Sequence, residues 1–376
     1  MSTSLLFGLD HSNHSFDARH RKSFGKNIFT NAFPIALACY MDSQGLGPLV
    51  IEALVEQGYL TTRQTETPFA DLICCDPSNA HWLFENSYTK YRSFATGEPN
   101  RSDVVVADMR EGYAHKSAFE IKLITVPNSA TANRPREQQS CELVTRPPTI
   151  EQLCFSIVRS FGTSRRHDIS DIISECLGNP MDYRWSDESY MLERLPRVVD
   201  AAANIAREGI SAQHPFVLSA IWRTKGQEAI LDGECFDIFA WTDMAFLQLF
   251  TNSAKNEQTS ISRPSRSVIW LVKALFDYGI QGKVTFAKTH SDITFGAQTD
   301  KAASFTGPHI MMFMDGDTFR HPRVPGGDYK KIIDPAAIDF LMPERRLDGV
   351  LGIMRLLESY GHPSQVNVRH SPTLMD

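Results

Sequence analysis

The chain has 376 residues, 42% of them hydrophobic and 22% charged, with 44 acidic against 38 basic side chains and a formal charge of −6. That length and balance suit a full globular core and exclude low-complexity and fibrous classes. No apolar run approaches the roughly 18 residues needed to span a bilayer, and Leu5-Leu6-Phe7-Gly8-Leu9, ended by Asp10, is too short for a signal-peptide core.

Apolar spacing predicts a helix over 33–44, with Pro34 near its start, where proline is tolerated. Gly45-Leu46-Gly47 breaks it, Pro48 opens a second helix over 48–57, and Gly58 closes that one. A short helix is expected over 79–87. Val104 to Ala107 read as a buried strand led by Asp103, and Glu111-Gly112-Tyr113 as a polar turn. Phe119, Ile121 and Leu123 then alternate with Glu120, Lys122 and Ile124, so 103–125 forms a hairpin. Residues 126–149 lack periodicity, contain four prolines and form a long loop. A helix follows over 149–161, with Thr149 as N-cap and Gln152 at the capping-box position. Beyond it come a helix at 184–208, strands at 216–222 and 236–241, and helices at 243–251 and 264–278. A strand at 284–287, an apolar segment at 309–314 and a helix at 347–360 complete the series. The order strand–strand–helix–strand predicts an α/β layer, a mixed sheet flanked by helices. No repeat or linker divides the chain, so a single domain is expected.

The seven cysteines, at 39, 74, 75, 141, 154, 176 and 235, show no Cys-x-x-Cys spacing and fall mostly in apolar segments. They read as reduced core thiols of a cytoplasmic protein that binds no zinc. Neither a Gly-x-x-x-x-Gly-Lys-Ser/Thr loop nor a His-Glu-x-x-His motif is present.

Asp103, Glu120 and Lys122 are the place where local geometry forces chemically useful side chains together. Residues i and i+2 of a strand point the same way, so Glu120 and Lys122 share a face. Once the two strands pair, Asp103 lies level with Glu120 or just beyond it. Two carboxylates and one ammonium then share a small site, a divalent-metal site with a cation beside it. Strand geometry leaves the Ile121 carbonyl as a third ligand. The bland alternative is an exposed charged face whose cross-strand pair contributes roughly a few tenths of a kcal/mol. Asp328-Tyr329-Lys330 repeats the spacing but follows the turn Pro325-Gly326-Gly327 and has no Asp-led strand before it.

These three residues resemble the PD-(D/E)XK nuclease signature, with Ser102 standing where the signature's proline would be. The run FEIKLITVPNSAT resembles the segment that follows the lysine in several type II restriction endonucleases. The opening stretch LLFGLDHSNHSFDARHRKSFGKNIFTNAFPIALACYM is similar to the start of HindVP-type restriction enzymes. The resemblance implies a restriction-endonuclease-like core with a C-terminal α/β elaboration. It implies Mg²⁺-dependent cleavage of double-stranded DNA at a short palindrome, of the GRCGYC kind for the HindVP type. A homodimer and a cognate DNA methyltransferase as genetic partner go with that activity. Family members often add an acid from an upstream element, for which Glu52, Glu56 and Glu85 are the candidates. The nuclease core is expected over about 46–225, with recognition and dimerisation elements in 226–376.

The charge of −6 runs against DNA as a partner, but phosphate affinity comes from local Lys/Arg groups. Basic groups occur at Arg19-His20-Arg21-Lys22, Arg165-Arg166-His167, Arg263 with Arg266, and Arg320-His321-Pro322-Arg323. The expected DNA contacts are Asn133, Arg134, Arg136 and Gln138 in the long loop, with Arg263, Arg266, Arg320 and Arg323 toward the C-terminus. Two alternatives stay open at this level: a repair or structure-specific nuclease of the same fold, and a catalytically silent DNA-binding protein.

Overall fold

In the computed structural model, which describes residues 47–126, 142–225, 228–230, 238–254, 259–295 and 303–306 with a few positions before 47, ten strands join into one connected sheet. The first two, β1 (Leu49–Glu56) and β2 (Tyr59–Glu66), form an antiparallel hairpin with Glu56 opposite Tyr59. This corrects the helix expected over 48–57. Gln57 (φ 50) and Gly58 (φ 82) are both left-handed, as a two-residue type I′ turn requires. Gly58 therefore turns a hairpin and does not cap a helix. Of the helix expected over 33–44, only Pro34, Ile35, Ala38 and Asp42 are described, and all four are helical.

A short helix, α1 (Phe69–Ile73), leads to β3 (Ala80–Asn86), which replaces the helix expected over 79–87. Ala80, Trp82 and Phe84 are buried in strict alternation, the period of a half-buried strand. β3 pairs antiparallel with β4 (Ser102–Asp108), and β4 with β5 (Ala114–Val126), so the hairpin expected over 103–125 is present. Val104 to Ala107 are fully buried. Gly112 (φ 64) and Tyr113 (φ 62) turn the chain between β4 and β5.

β6 (Glu142–Thr145) occupies the end of the expected loop. Three helices follow, α2 (Pro147–Phe161), α3 (Arg166–Leu177) and α4 (Glu188–Gly209), of which the sequence indicated the first and third. They cross over to β7 (Pro215–Lys225), which runs parallel to the second half of β5 with Glu120 opposite Val217. A parallel neighbour demands such a crossover. β8 (Glu228–Ile230) pairs antiparallel with the end of β7. β9 (Ile238–Thr242) lies between β7 and β1, giving the path β10–β6–β5–β7–β9–β1–β2, where β10 is Ala303–Thr306.

The sheet does not stop at residue 225. β9, α5 (Asp243–Ser253) and α6 (Arg263–Gln281) belong to the same hydrophobic core as α2 and β7. The strand expected over 284–287 is a single bridge, Val284 with Ala95, followed by α7 (Phe286–Asp292). The segments at 309–314 and 347–360 lie outside the described residues. Among the described residues no helix is long and apolar enough to cross a membrane. Of the four cysteines described, only Cys154 is a core thiol; Cys74 is exposed, Cys75 and Cys176 are half-buried, and all four are free.

α3 and α6 approach so closely that a Cβ on Gly279 would lie 2.7 Å from Ser170 Cβ and 2.9 Å from its backbone nitrogen. Overpacking at such a contact costs about 1–3 kcal/mol. Gly279→Ala should lower the unfolding free energy by that amount in a denaturant titration. An unchanged midpoint would show that the two helices are not clamped there.

Candidate active site

β5 has different neighbours along its length. Through Phe119 it pairs with β4, and from Glu120 onward with β7. Val104 lies opposite Phe119, so Asp103, the next residue outward, comes level with Glu120. At this level the backbone ladder between β4 and β5 ends and a side chain takes over: the Ile121 N–H donates to Asp103 Oδ2 at 2.8 Å.

Lys122 Nζ donates to Glu120 Oε1 at 2.6 Å and lies 3.8 Å from Asp103 Oδ2. The expected convergence of Asp103, Glu120 and Lys122 is thus present. Glu120 is 8% exposed, and its Oε1 also accepts the Thr149 hydroxyl from the first turn of α2 at 3.1 Å. Thr149 is not the N-cap the sequence suggested. Arg146 holds that position, and the Pro147-Pro148 pair starts the helix two residues earlier. Gln152 serves no capping box either. It accepts from Ser102 Oγ at 3.2 Å and donates to the Asn100 carbonyl, while Asn100 donates to Glu151. A Thr-x-x-Gln sequence carries an intrahelical capping signal but no sign of these contacts to strands.

The electrostatics are those of too much negative charge in too little water. Burial first, then the Glu120 charge, push the Asp103 carboxyl up to about 7; Lys122 and the Ile121 N–H oppose this, and Glu85 adds to it. Burial penalises the Lys122 ammonium, but Glu120 and Asp103 outweigh that penalty and raise its pKa, so Lys122 is a cation at neutral pH.

Among the upstream acids, Glu85 is the one that acts on Asp103. Its neighbours Phe84 and Asn86 pair with Val104 and Ser102, and its own φ of 48 interrupts the ladder opposite Asp103. Glu52 instead sits on β1, held by Arg63 at 2.9 Å, with β7 and β9 between that strand and β5. Glu56 is exposed beside the hairpin turn.

Among the described residues no three His, Cys, Asp or Glu side chains form a ready metal cage. The donor set nonetheless fits a hard divalent cation. It consists of carboxylate oxygens whose charge is only partly balanced, and such oxygens suit magnesium better than a soft metal. The hydrogen bonds and the ion pair fall on Asp103 Oδ2 and Glu120 Oε1, and among the described residues Oδ1 and Oε2 have no such partner.

The expected DNA contacts are placed less fully. Asn133, Arg134, Arg136, Gln138, Arg320 and Arg323 lie outside the described residues. Arg263 is exposed at the start of α6, but Arg266 is only 4% exposed and stacks on Trp270, which leaves little guanidinium surface for a duplex. In the 165–167 cluster, Arg165 pairs with Asp168 at 2.8 Å and Glu208 at 3.4 Å, an ordinary charge-paired surface. A cavity of about 650 Å³ lined by Arg184, Asp187, Lys273 and Asp277 contains none of the triad.

The chain matches the HindVP restriction endonuclease family over residues 24–357. It is 34% identical over 354 residues to the type II restriction enzyme HgiDI of Herpetosiphon aurantiacus, covering 92% of this chain and 94% of that protein. It is 27% identical over 355 residues to the probable type II restriction enzyme HindVP of Haemophilus influenzae, covering 92% of each. No solved structure matches.

The pH dependence of stability follows from Asp103. Its folded pKa lies above the unfolded value, so the folded state binds more protons between about pH 4 and 7 and loses stability as pH rises through that window. Asp103→Asn keeps an acceptor for the Ile121 N–H and removes the charge. In the metal-free protein it should raise the unfolding free energy at pH 8 by on the order of 1–3 kcal/mol, at about 1.4 kcal/mol per pKa unit. The gain should shrink at pH 5. A thermal melt showing an equal effect at both pH values would remove Asp103 as the strained group.

Proposed function

Because this chain belongs to the HindVP restriction endonuclease family, and is with it a type II restriction endonuclease, we propose that Asp103, Glu120 and Lys122 are its hydrolytic centre and Mg²⁺ its cofactor. The observation that carries this reading is the Lys122 ammonium, 2.6 Å from Glu120 and 3.8 Å from Asp103, at the level where β5 changes partners. Asp103 and Glu120 would hold the metal, with the Ile121 carbonyl as a further ligand. Glu85 is the acid best placed to join them. The chemistry a bound Mg²⁺ supplies is acidification of a water and neutralisation of charge on the scissile phosphate.

The protein's own groups do the rest. Asp103 and Glu120 hold Lys122 in its charged form, so it does not collect the proton of the attacking water. It donates hydrogen bonds instead, orienting that water and stabilising the charge that grows on the phosphate oxygens. Water oxygen bonds to phosphorus as one ester P–O bond breaks; the water's protons pass to solvent, and the leaving oxygen takes one from solvent and ends as a hydroxyl. The Ile121 N–H fixes the rotamer of Asp103 throughout, since it rests on backbone that β7 also pins.

Restriction endonucleases bind double-stranded DNA, and the target proposed here is a short palindrome protected by a cognate methyltransferase inside the same cell. Each strand of a palindrome needs its own active site in a mirrored position, so the working unit is a homodimer. Its contacts and its base readers are assigned to segments outside the 46–225 core and to 126–149.

Asp103→Ala and Glu120→Ala should keep their affinity for duplex DNA in Ca²⁺ yet lose at least about a hundredfold in cleavage rate, the scale of losing one key electrostatic group. Lys122→Ala should lose as much rate, with metal binding less affected. Near wild-type cleavage of a plasmid by any of the three would refute the assignment. For the assembly, light scattering should give twice the chain mass of 42.3 kDa, free or on its site. A monomer in both states would exclude the dimer.

A further inference from the structure

The first turn of α2 carries a role that neither the family nor the triad assigns. Thr149 is 1% exposed, and a buried hydroxyl must spend its donor somewhere. It spends it on Glu120 Oε1 at 3.1 Å, while its own oxygen faces the Arg146 N–H at 3.5 Å. The backbone donor on one side leaves the hydroxyl proton to point at the carboxylate. The turn that carries Thr149 is itself braced. Glu151 and Gln152, two and three residues further on, are tied to Asn100 and Ser102, the segment that enters β4 next to Asp103.

Glu120 Oε1 is therefore saturated from two directions, by the Lys122 ammonium and by Thr149, while Oε2 has no hydrogen-bond partner among the described residues. Lys122 alone could not fix this arrangement. Its long side chain also serves Asp103 and, in the reaction, water and phosphate. A short β-branched side chain on a buried helical turn is far stiffer. We propose that Thr149 is a positioning residue that locks the Glu120 carboxylate with Oε1 turned inward and Oε2 presented to the divalent cation. The proposal rests on the reading of Glu120 as a metal ligand.

Partners that orient a metal-ligating side chain typically change metal affinity by about ten- to a hundredfold when removed. Thr149→Val keeps the shape and deletes the donor, whereas Thr149→Ser keeps the donor and deletes a methyl group. The metal-free full-length protein is titrated with Mn²⁺, followed calorimetrically, and the Mg²⁺ concentration for half-maximal plasmid cleavage is measured alongside. Thr149→Val should weaken Mn²⁺ binding about tenfold or more and raise the half-maximal Mg²⁺ concentration to match. Thr149→Ser should stay within about threefold of wild type in both, with unchanged circular dichroism for each variant. Wild-type Mn²⁺ affinity in Thr149→Val overturns the proposal, as does an equal loss in both variants, which would mark a packing role. Glu120→Ala in the same titration tests the premise separately. If it binds Mn²⁺ like wild type, the site reading fails and the role of Thr149 fails with it.

Discussion

The structure turns on the thirteen residues of β5 belonging to two pairings at once. Its first half is the third strand of the antiparallel ladder β3–β4–β5, and its second half is the parallel partner of β7. Glu120 is where one pairing hands over to the other. A strand in mid-sheet normally has both edges occupied by backbone. Here the β4 side runs out after Val104, and the Ile121 N–H is satisfied by a side chain, Asp103. The vacancy in the ladder is what admits a carboxylate to a place otherwise reserved for main chain. It also puts that carboxylate beside two charged residues of β5, so backbone accounting and site chemistry have a single cause.

The same arrangement explains why the site is electrostatically uncomfortable and still stable. Two acids and a lysine sit on one face of strands whose opposite face carries Val104, Phe119 and Ile121, all largely or wholly buried. Two carboxylates against one ammonium leave one negative charge without a counter-ion in a largely buried place. The Asp103 carboxyl already shows the cost in its raised pKa, to about 7. A pair of carboxylates that is under-neutralised on its own gains from a nearby cation, which is what the proposed metal would supply. The strain is tolerated because the surroundings are rigid: β4 and β7 hold β5 on either half, and the buried first turn of α2 meets it through Thr149.

How much of this was legible in the chain follows from which interactions are local. The β4–β5 hairpin was readable because alternation and a short turn are written in consecutive residues, and the register then brought Asp103 level with Glu120. β7, β9 and the helices α2, α4, α5 and α6 were also legible from apolar periodicity. The β1–β2 hairpin was not. Residues 48–57 are apolar enough for either period, and Gln57-Gly58 serves as well for a helix end as for a type I′ turn. The resolving fact is non-local, since β1 gains its place by pairing with β9 almost two hundred residues later. β3 carried a usable signal, Ala80, Trp82 and Phe84 in alternation, which the polar residues between them obscured. Thr149 and Gln152 could not have been assigned from sequence, because their partners lie on other elements.

The division of labour along β5 also bears on the acidic net charge. Everything that holds the triad in place is either strand or the first turn of a helix, so the proposed hydrolytic centre sits on rigid elements, where sites are held most accurately. Arg134 and Arg136 follow Lys122 in the sequence by twelve and fourteen residues, while the exposed Arg263 opens α6. Basic groups gathered beside a site raise the local potential where a duplex would lie, whatever the sum over the whole surface. An excess of acids elsewhere then limits non-specific attachment to polyanions. For an enzyme that must find a short site among a great many others, the ratio of specific to non-specific binding matters more than affinity alone. A net charge of −6 is consistent with that requirement, provided the cations are concentrated beside the triad.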